Sequence, residues 1–123
     1  MKIRIKGNSI RLRLTKTDIK TLTEVQIIEE TTDLGNGIIF RYSLALNAET
    51  EHIYANFSDG RISVFLNQSA YDTLTATDEI TVHHTAENGT SGGLFLLIEK
   101  DLKCLDTTFE DQSDMYENPK THC

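Results

Sequence analysis

The stretch that most strongly predicts a fold reads IYANFSDGRISVFL and covers residues 53–66. Its centre, Asp59-Gly60, is the dipeptide favoured at the two central positions of a type I′ turn, where both residues need a positive φ. A two-residue loop at this point pairs Phe57 with Ile62, and further apolar and polar pairs follow in alternation along both arms. The stretch therefore predicts an antiparallel β-hairpin.

Other stretches carry related signals. Residues 38–46 place an apolar side chain at every second position, and residues 94–98 form an unbroken apolar run, which is typical of a strand buried on both faces. Two short helices are predicted, one capped by Thr15 with Asp18 in the capping-box position, and one that begins after Asn67. A strand is predicted between these helices in the β-branched segment that starts near Glu24.

These elements together predict an α+β fold that is mainly antiparallel β, with about seven to eight strands and two short helices. A sheet with so many strands is expected to curl or to close into a small barrel, because closure removes exposed edges. The sequence shows no internal repeat.

A second hairpin is predicted at the start of the chain, where residues 1–14 read MKIRIKGNSIRLRL. A loop at Gly7-Asn8 and a loop at Asn8-Ser9 both keep the aliphatic side chains on one face, so two registers remain open. The opposite face carries five basic residues: Lys2, Arg4, Lys6, Arg11 and Arg13. In either register cations oppose cations, which is destabilising, so we expect an anionic group to lie over this face.

Charge is distributed unevenly along the chain. Seven of its 12 Lys and Arg residues lie in residues 1–20, whereas residues 99–123 hold seven acids. The net charge of −7 argues against binding to nucleic acid or to a membrane surface, since attraction to phosphate supplies the sequence-independent part of such affinity. The partner expected for the basic residues is an anionic small molecule, an acidic protein segment or the chain's own acidic end.

The length predicts one domain. Residues 1–106 are expected to form the β-rich domain, and residues 107–123 an acidic tail or irregular wrap packed on it. The sequence shows neither the apolar run of a signal peptide nor the roughly 20 apolar residues of a membrane helix. Its two cysteines lack the CxxC spacing, so we expect a cytoplasmic protein with reduced thiols, whose oligomeric state the sequence leaves open.

Metal, cofactor and catalytic sites are not predicted. Six side chains are of types that bind zinc, at none of the recognised spacings: His52, His83, His84, His122, Cys104 and Cys123. The adjacent residues His83 and His84 would point to opposite faces of a strand. Cys104 is in phase with Leu102 and is predicted to be a structural cysteine. No nucleophile motif or phosphate-binding glycine loop occurs, so no catalytic residue is proposed.

Two functions remain open at this stage. The first is a non-enzymatic binding or interaction module that uses the basic N-terminal hairpin face for an anionic partner or for its own acidic tail. The alternative is a small barrel, an enzyme or a binding protein, that acts on a phosphorylated small molecule. The barrel would line its interior with cations and a carboxylate: Arg11, Arg13, Arg41, Lys100 and Glu99. It needs a concave pocket, whereas the module needs only an accessible face.

Both ends of the chain resemble a known family. The opening, residues 1–16, reads MKIRIKGNSIRLRLTK, and residues 96–101 read LLIEKD, followed by EDQSD at 110–114 and by Asn118-Pro119. These stretches resemble a family of short uncharacterised proteins found mainly in Bacteroidetes bacteria, and the resemblance spans the whole chain. The resemblance implies a single-domain bacterial protein of unassigned function in which the tail belongs to the domain. It implies no catalytic or binding residues.

Overall fold

The computed structural model describes residues 1–103 and 113–117, which contain eight strands and two helices. The strands are β1 (Lys2–Lys6), β2 (Ser9–Leu14), β3 (Ile27–Gly35), β4 (Ile38–Leu46), β5 (Tyr54–Ser58), β6 (Arg61–Leu66), β7 (Thr81–Ala86) and β8 (Leu94–Lys100). The helices are α1 (Lys16–Val25) and α2 (Gln68–Ala76). The predicted α+β class, the strand number and the two short helices are confirmed.

The strands form two separate four-stranded sheets, not one curled sheet or a closed barrel. Sheet A has the order β1-β2-β8-β7 and sheet B the order β3-β4-β6-β5. In each sheet the two central strands, β2 with β8 and β4 with β6, run parallel, whereas the outer pairs are antiparallel. Turn residues specify antiparallel neighbours only, since a parallel pair joins strands that are distant in sequence and depends on tertiary packing.

Both hairpins predicted from their turn residues are present. The first turns at Gly7-Asn8, so Ile5 pairs with Ile10 and Arg4 lies opposite Arg11, which settles the register that the sequence left open. The second turns at the predicted dipeptide 59–60, where both residues have a positive φ, and its predicted pairs in β5 and β6 are confirmed. Cations therefore do oppose cations in the first hairpin.

The helices differ from the prediction at two points. Thr15 and Asp18 form the predicted capping box, but α1 continues to Val25, so the strand expected from residue 24 begins only at Ile27. The β-branched side chain of Val25 favours a strand, but Val25 ends α1 and the chain turns at Gln26, the helix C-cap, which has the left-handed conformation. At α2, Asn67 occupies the N-cap position without a capping bond, and its side-chain amide donates to the Glu51 carbonyl in the loop between β4 and β5.

The structure shows an internal duplication that the sequence does not reveal. Each half of the chain is a hairpin, a helix and a second hairpin, namely β1-β2-α1-β3-β4 and β5-β6-α2-β7-β8. Each sheet combines the first hairpin of one half with the second hairpin of the other. Leu66 follows its counterpart Leu14 by 52 positions, and Lys100 follows Leu46 by 54. The two halves therefore repeat in topology, although the sequence shows no internal repeat.

Backbone hydrogen bonds outside the ladders repeat in the same way. Asn47 N–H donates to the Leu66 carbonyl at 2.9 Å, and its counterpart Asp101 N–H donates to the Leu14 carbonyl at 2.8 Å. The two halves also contribute equivalent residues to the core between the sheets: Leu22 of α1 and Leu74 of α2 are 0% and 1% exposed. The two halves therefore share one apolar core and neither encloses a core alone.

The acidic tail lies mostly outside the described residues. Of the predicted wrap over residues 107–123, the structure describes residues 113–117, which are exposed. Both cysteines and His122 also lie outside the described residues.

Candidate anion-binding face

The five predicted basic residues lie on one face of sheet A. The aliphatic residues of β2 point into the core, so Arg11 and Arg13 project from the opposite side of the sheet. The register of β1 places Lys2, Arg4 and Lys6 on that same side. We call this surface, made by the five cations, the basic face.

An acidic partner for this face comes from β8, which the sequence did not link to the first hairpin. The parallel register of β2 and β8 puts Glu99 beside Arg13, whose Nε donates to Glu99 Oε1 at 2.8 Å. Arg11 Nε lies 3.7 Å from the same oxygen, and Lys2 Nζ lies 3.3 Å from a carboxylate oxygen of Asp101. The anionic group expected over the opposed cations is therefore in part a neighbouring strand of the same domain.

The ion cluster formed by Glu99, Arg11 and Arg13 is more buried than an ordinary surface ion pair. Glu99 is 4% exposed and Arg11 is 8% exposed, although both lie on the side of the sheet that faces away from the core. Leu97 of β8 pairs with Arg11 of β2 and with His83 of β7, lies on the same side of the sheet and is 1% exposed. The unbroken apolar run of β8 predicted this two-sided burial, but not that an arginine would lie beside it.

A depression opens at the hairpin end of the basic face. Three cations line it, Arg4, Lys6 and Arg11, and its volume is about 340 Å³. The hydroxyl of Ser9 donates to the Lys6 carbonyl at 2.7 Å and so holds the turn beside the depression, while Phe95 contributes an apolar wall. Such a site can bind an anionic oxygen group through charge-assisted hydrogen bonds.

The equivalent face of sheet B carries no comparable charge. The positions that correspond to the cations of β1 are Tyr54, Asn56 and Ser58, and those that correspond to Arg11 and Arg13 in β2 are polar or aromatic in β6. Tyr54 instead stacks on its cross-strand neighbour in β6, with ring centroids 4.8 Å apart. Two arginines, Arg41 and Arg61, do lie on this face of sheet B, and Arg61 Nη2 lies 2.9 Å from Glu29 Oε2. The cationic row along β1 and the neutral row along β5 are therefore the matched surfaces for experiment.

A second charged cluster surrounds the amino group of Met1. This group lies 2.9 Å from Asp18 Oδ2 and 3.9 Å from Glu30, while the Tyr42 hydroxyl donates to the Met1 carbonyl. Burial by itself raises the pKa of Asp18, but hydrogen bonds from Thr15 and from the amino group outweigh it and lower the pKa below its usual 3.8. Burial, and then the charges of Glu30 and Asp18, raise the pKa of Tyr42.

The lowered pKa makes Asp18 a source of pH-dependent stability. Its contribution is present above the unfolded pKa near 3.8 and is lost as the pH falls through the lower folded value. We expect Asp18→Asn to cost about 1 kcal/mol at neutral pH, as loss of a helix cap does, and to flatten the dependence of stability on pH below about 4. Urea unfolding over a pH series measures both effects. The exposed Asp78→Asn is the control, and an unchanged acid profile in Asp18→Asn would contradict the assignment.

Of the three histidines that the structure describes, two stack on each other and the third points to the opposite face. His84 stacks on His52 with ring centroids 4.5 Å apart, whereas His83 points to the other face, 5.9 Å from the ring of Phe95. In residues 1–103 and 113–117 no group of three or more His, Cys, Asp or Glu side chains is placed to hold a metal ion. In the same residues, neither helix has the length and apolar character needed to cross a membrane.

Comparison with known proteins adds a family but no activity. Neither the search of curated proteins nor the search of solved structures found a match. Residues 1–120 match the model of the Family of unknown function (DUF7009), which covers nearly the whole chain and includes both sheets. The chain therefore belongs to this family of unknown function.

Proposed function

We propose that this protein is a non-enzymatic binding module whose basic face holds an anionic partner. The observation that carries the proposal is the convergence of Arg4, Lys6 and Arg11 on one depression of about 340 Å³. Glu99 contacts Arg11 and Arg13, and Asp101 contacts Lys2, so among the described residues two carboxylates stand against the five cations of the face. An acidic protein segment suits a face of this length, and the chain's own acidic tail is one such segment.

The depression also favours a second candidate, a phosphorylated small molecule. Three cations that line one depression suit a phosphate group, and the volume fits a small metabolite. The two candidates differ in how much of the basic face they occupy. A small molecule occupies the depression alone, whereas an acidic segment also extends along β1 toward Lys2. A cytoplasmic location and a bacterial, mainly Bacteroidetes, distribution belong to this proposal as expectations from the sequence.

Charge reversal at one position tests the proposal. We expect pyrophosphate or poly-glutamate to raise the melting temperature of the full-length protein, because a ligand that binds only the folded state stabilises it. Lys6→Glu should raise the ligand concentration needed for a given shift in melting temperature about tenfold or more. Ser58→Glu, at the equivalent position of sheet B, should leave this concentration unchanged. An equal response of both variants would overturn the proposal.

A further full-length variant separates the chain's own tail from an external partner. In this variant the tail acids Glu110, Asp111, Asp114 and Glu117 are replaced by the corresponding amides. A stronger response to poly-glutamate than in the parent chain would identify the tail as a competitor for the face. An unchanged response would assign the face to an external partner.

A further inference from the structure

In the part of the chain that the structure describes, no strand lies on the outer side of β1. β1 is the terminal strand of sheet A, and four of its five residues are exposed. In a hairpin with a two-residue loop the residues that flank the loop exchange hydrogen bonds, and the pairs alternate from there. Lys6 flanks the loop, so the backbone N–H and C=O groups of Ile5 and Ile3 point away from β2.

The side chains of β1 divide into two rows along this edge. Lys2, Arg4 and Lys6 lie on the basic face, and Ile3 and Ile5 lie on the other side of the strand. Ile5 is 54% exposed, whereas Ile3 packs against the core. A strand added beside β1 would place every second side chain next to a cation and the intervening ones next to an isoleucine.

We infer that β1 binds an extended acidic protein segment by adding it to sheet A as a fifth strand. The inference rests on the proposed function and deepens it, because it names the partner and the way in which it is held. Backbone hydrogen bonds to Ile3 and Ile5 supply the pairing, while Lys2, Arg4 and Lys6 select acidic residues at alternate positions. A partner segment with acid and apolar residues in alternation satisfies both rows.

The second half of the chain contains an edge strand equivalent to β1. β5 is the terminal strand of sheet B, and its residue Phe57, the counterpart of Ile5, is 67% exposed. Its loop has the same two-residue form, so Phe57 also directs its backbone groups away from the neighbouring strand. The row beside it is neutral, with Tyr54, Asn56 and Ser58. The β1 row carries three cations, whereas the β5 row carries none and its neighbour Arg61 is paired with Glu29, so charge favours an acidic segment at β1 over β5.

The test uses a short peptide that alternates glutamate with valine, and a matched peptide that alternates lysine with valine. Amide hydrogen exchange is followed by NMR in the full-length protein. We expect the acidic peptide to slow exchange at Ile3 and Ile5 and to leave Ala55 and Phe57 unchanged. The lysine peptide should protect none of these amides. Protection at Ala55 and Phe57 equal to that at β1, or no protection at either edge, overturns the inference.

Proline substitution tests the same edge by affinity. Proline is tolerated at an edge strand where its missing N–H faces solvent, so Ile5→Pro removes one donor to the peptide and leaves the ladder with β2 in place. We expect Ile5→Pro to weaken the acidic peptide about tenfold, and the matched Phe57→Pro to leave its affinity unchanged. If Ile5→Pro does not fold, the exchange experiment on the parent protein decides alone.

The outcomes separate the two proposals. Binding that Lys6→Glu abolishes but Ile5→Pro leaves intact, without protection of Ile3 and Ile5, overturns the added strand and supports the basic face as the site. Failure of pyrophosphate, poly-glutamate and peptide alike overturns both proposals. Affinity that falls with rising salt supports selection by charge, since screening weakens exposed ion pairs.

Discussion

Replacing Glu99 with glutamine is expected to lower the free energy of unfolding by about 3–5 kcal/mol, the cost of removing one partner from a buried ion pair. Glu99 is 4% exposed and its carboxylate contacts both Arg11 and Arg13. Glutamine keeps the shape and one acceptor but removes the charge, which leaves Arg11 buried beside a neutral group. Urea unfolding of the full-length protein measures the loss.

Two comparisons make this prediction specific. Asp101→Asn removes the partner of Lys2, whose side chain is 73% exposed, and should cost less than about 1 kcal/mol. The double variant Arg11→Met with Glu99→Leu removes the two most buried of the three charges and should recover most of the stability lost in Glu99→Gln, because the remaining Arg13 side chain is 30% exposed and reaches solvent. A loss of less than about 1 kcal/mol in Glu99→Gln would show that this ion cluster does not hold β8 against β2.

The second large effect concerns the helices. We expect Leu22→Ala in α1 and Leu74→Ala in α2 each to lower the free energy of unfolding by about 2–5 kcal/mol, because each removes fully buried methyl groups and leaves a cavity. The duplicated architecture makes the two positions equivalent, so the two losses should be similar. Denaturant unfolding monitored by circular dichroism is the measurement.

An exposed residue of the same helix supplies the control. Val25, at the end of α1, is 61% exposed, and Val25→Ala should change the free energy of unfolding by less than about 0.5 kcal/mol. If Leu22→Ala costs several kcal/mol and Leu74→Ala costs none, the two helices do not contribute equally to one core. The two halves would then share their topology but would contribute unequally to the free energy of unfolding.

Much of the local structure was predictable. The two hairpins, the capping box at Thr15 and the two-sided burial of β8 follow from turn residues, cap residues and hydrophobic period, each of which acts over a few neighbouring positions. The same local reasoning placed five cations on one face, since alternation along β1 and β2 leaves them no other arrangement. It extended one strand into the end of α1, because Val25 carries a β-branched side chain.

The candidate site was predictable only in part. The cations of β1 and β2 could be named, but their carboxylate partner Glu99 could not, because it lies 86 positions from Arg13 in the chain. The depression between Arg4, Lys6 and Arg11 likewise needs Phe95 as a wall, and this residue comes from the second half. No signal along the sequence marks either association.

The sequence by itself determined the elements of this protein: hairpins at two turns, two short helices with a capping box on the first, a strand buried on both faces and a row of cations on the first hairpin. Only the tertiary structure decided that the hairpins exchange between two sheets, that the central strands run parallel, and that Glu99 joins the basic face. The physical reason is distance along the chain. Turns, caps and alternation are energies of neighbouring residues, whereas the parallel pairs and the shared core arise only when both halves bury their apolar faces together.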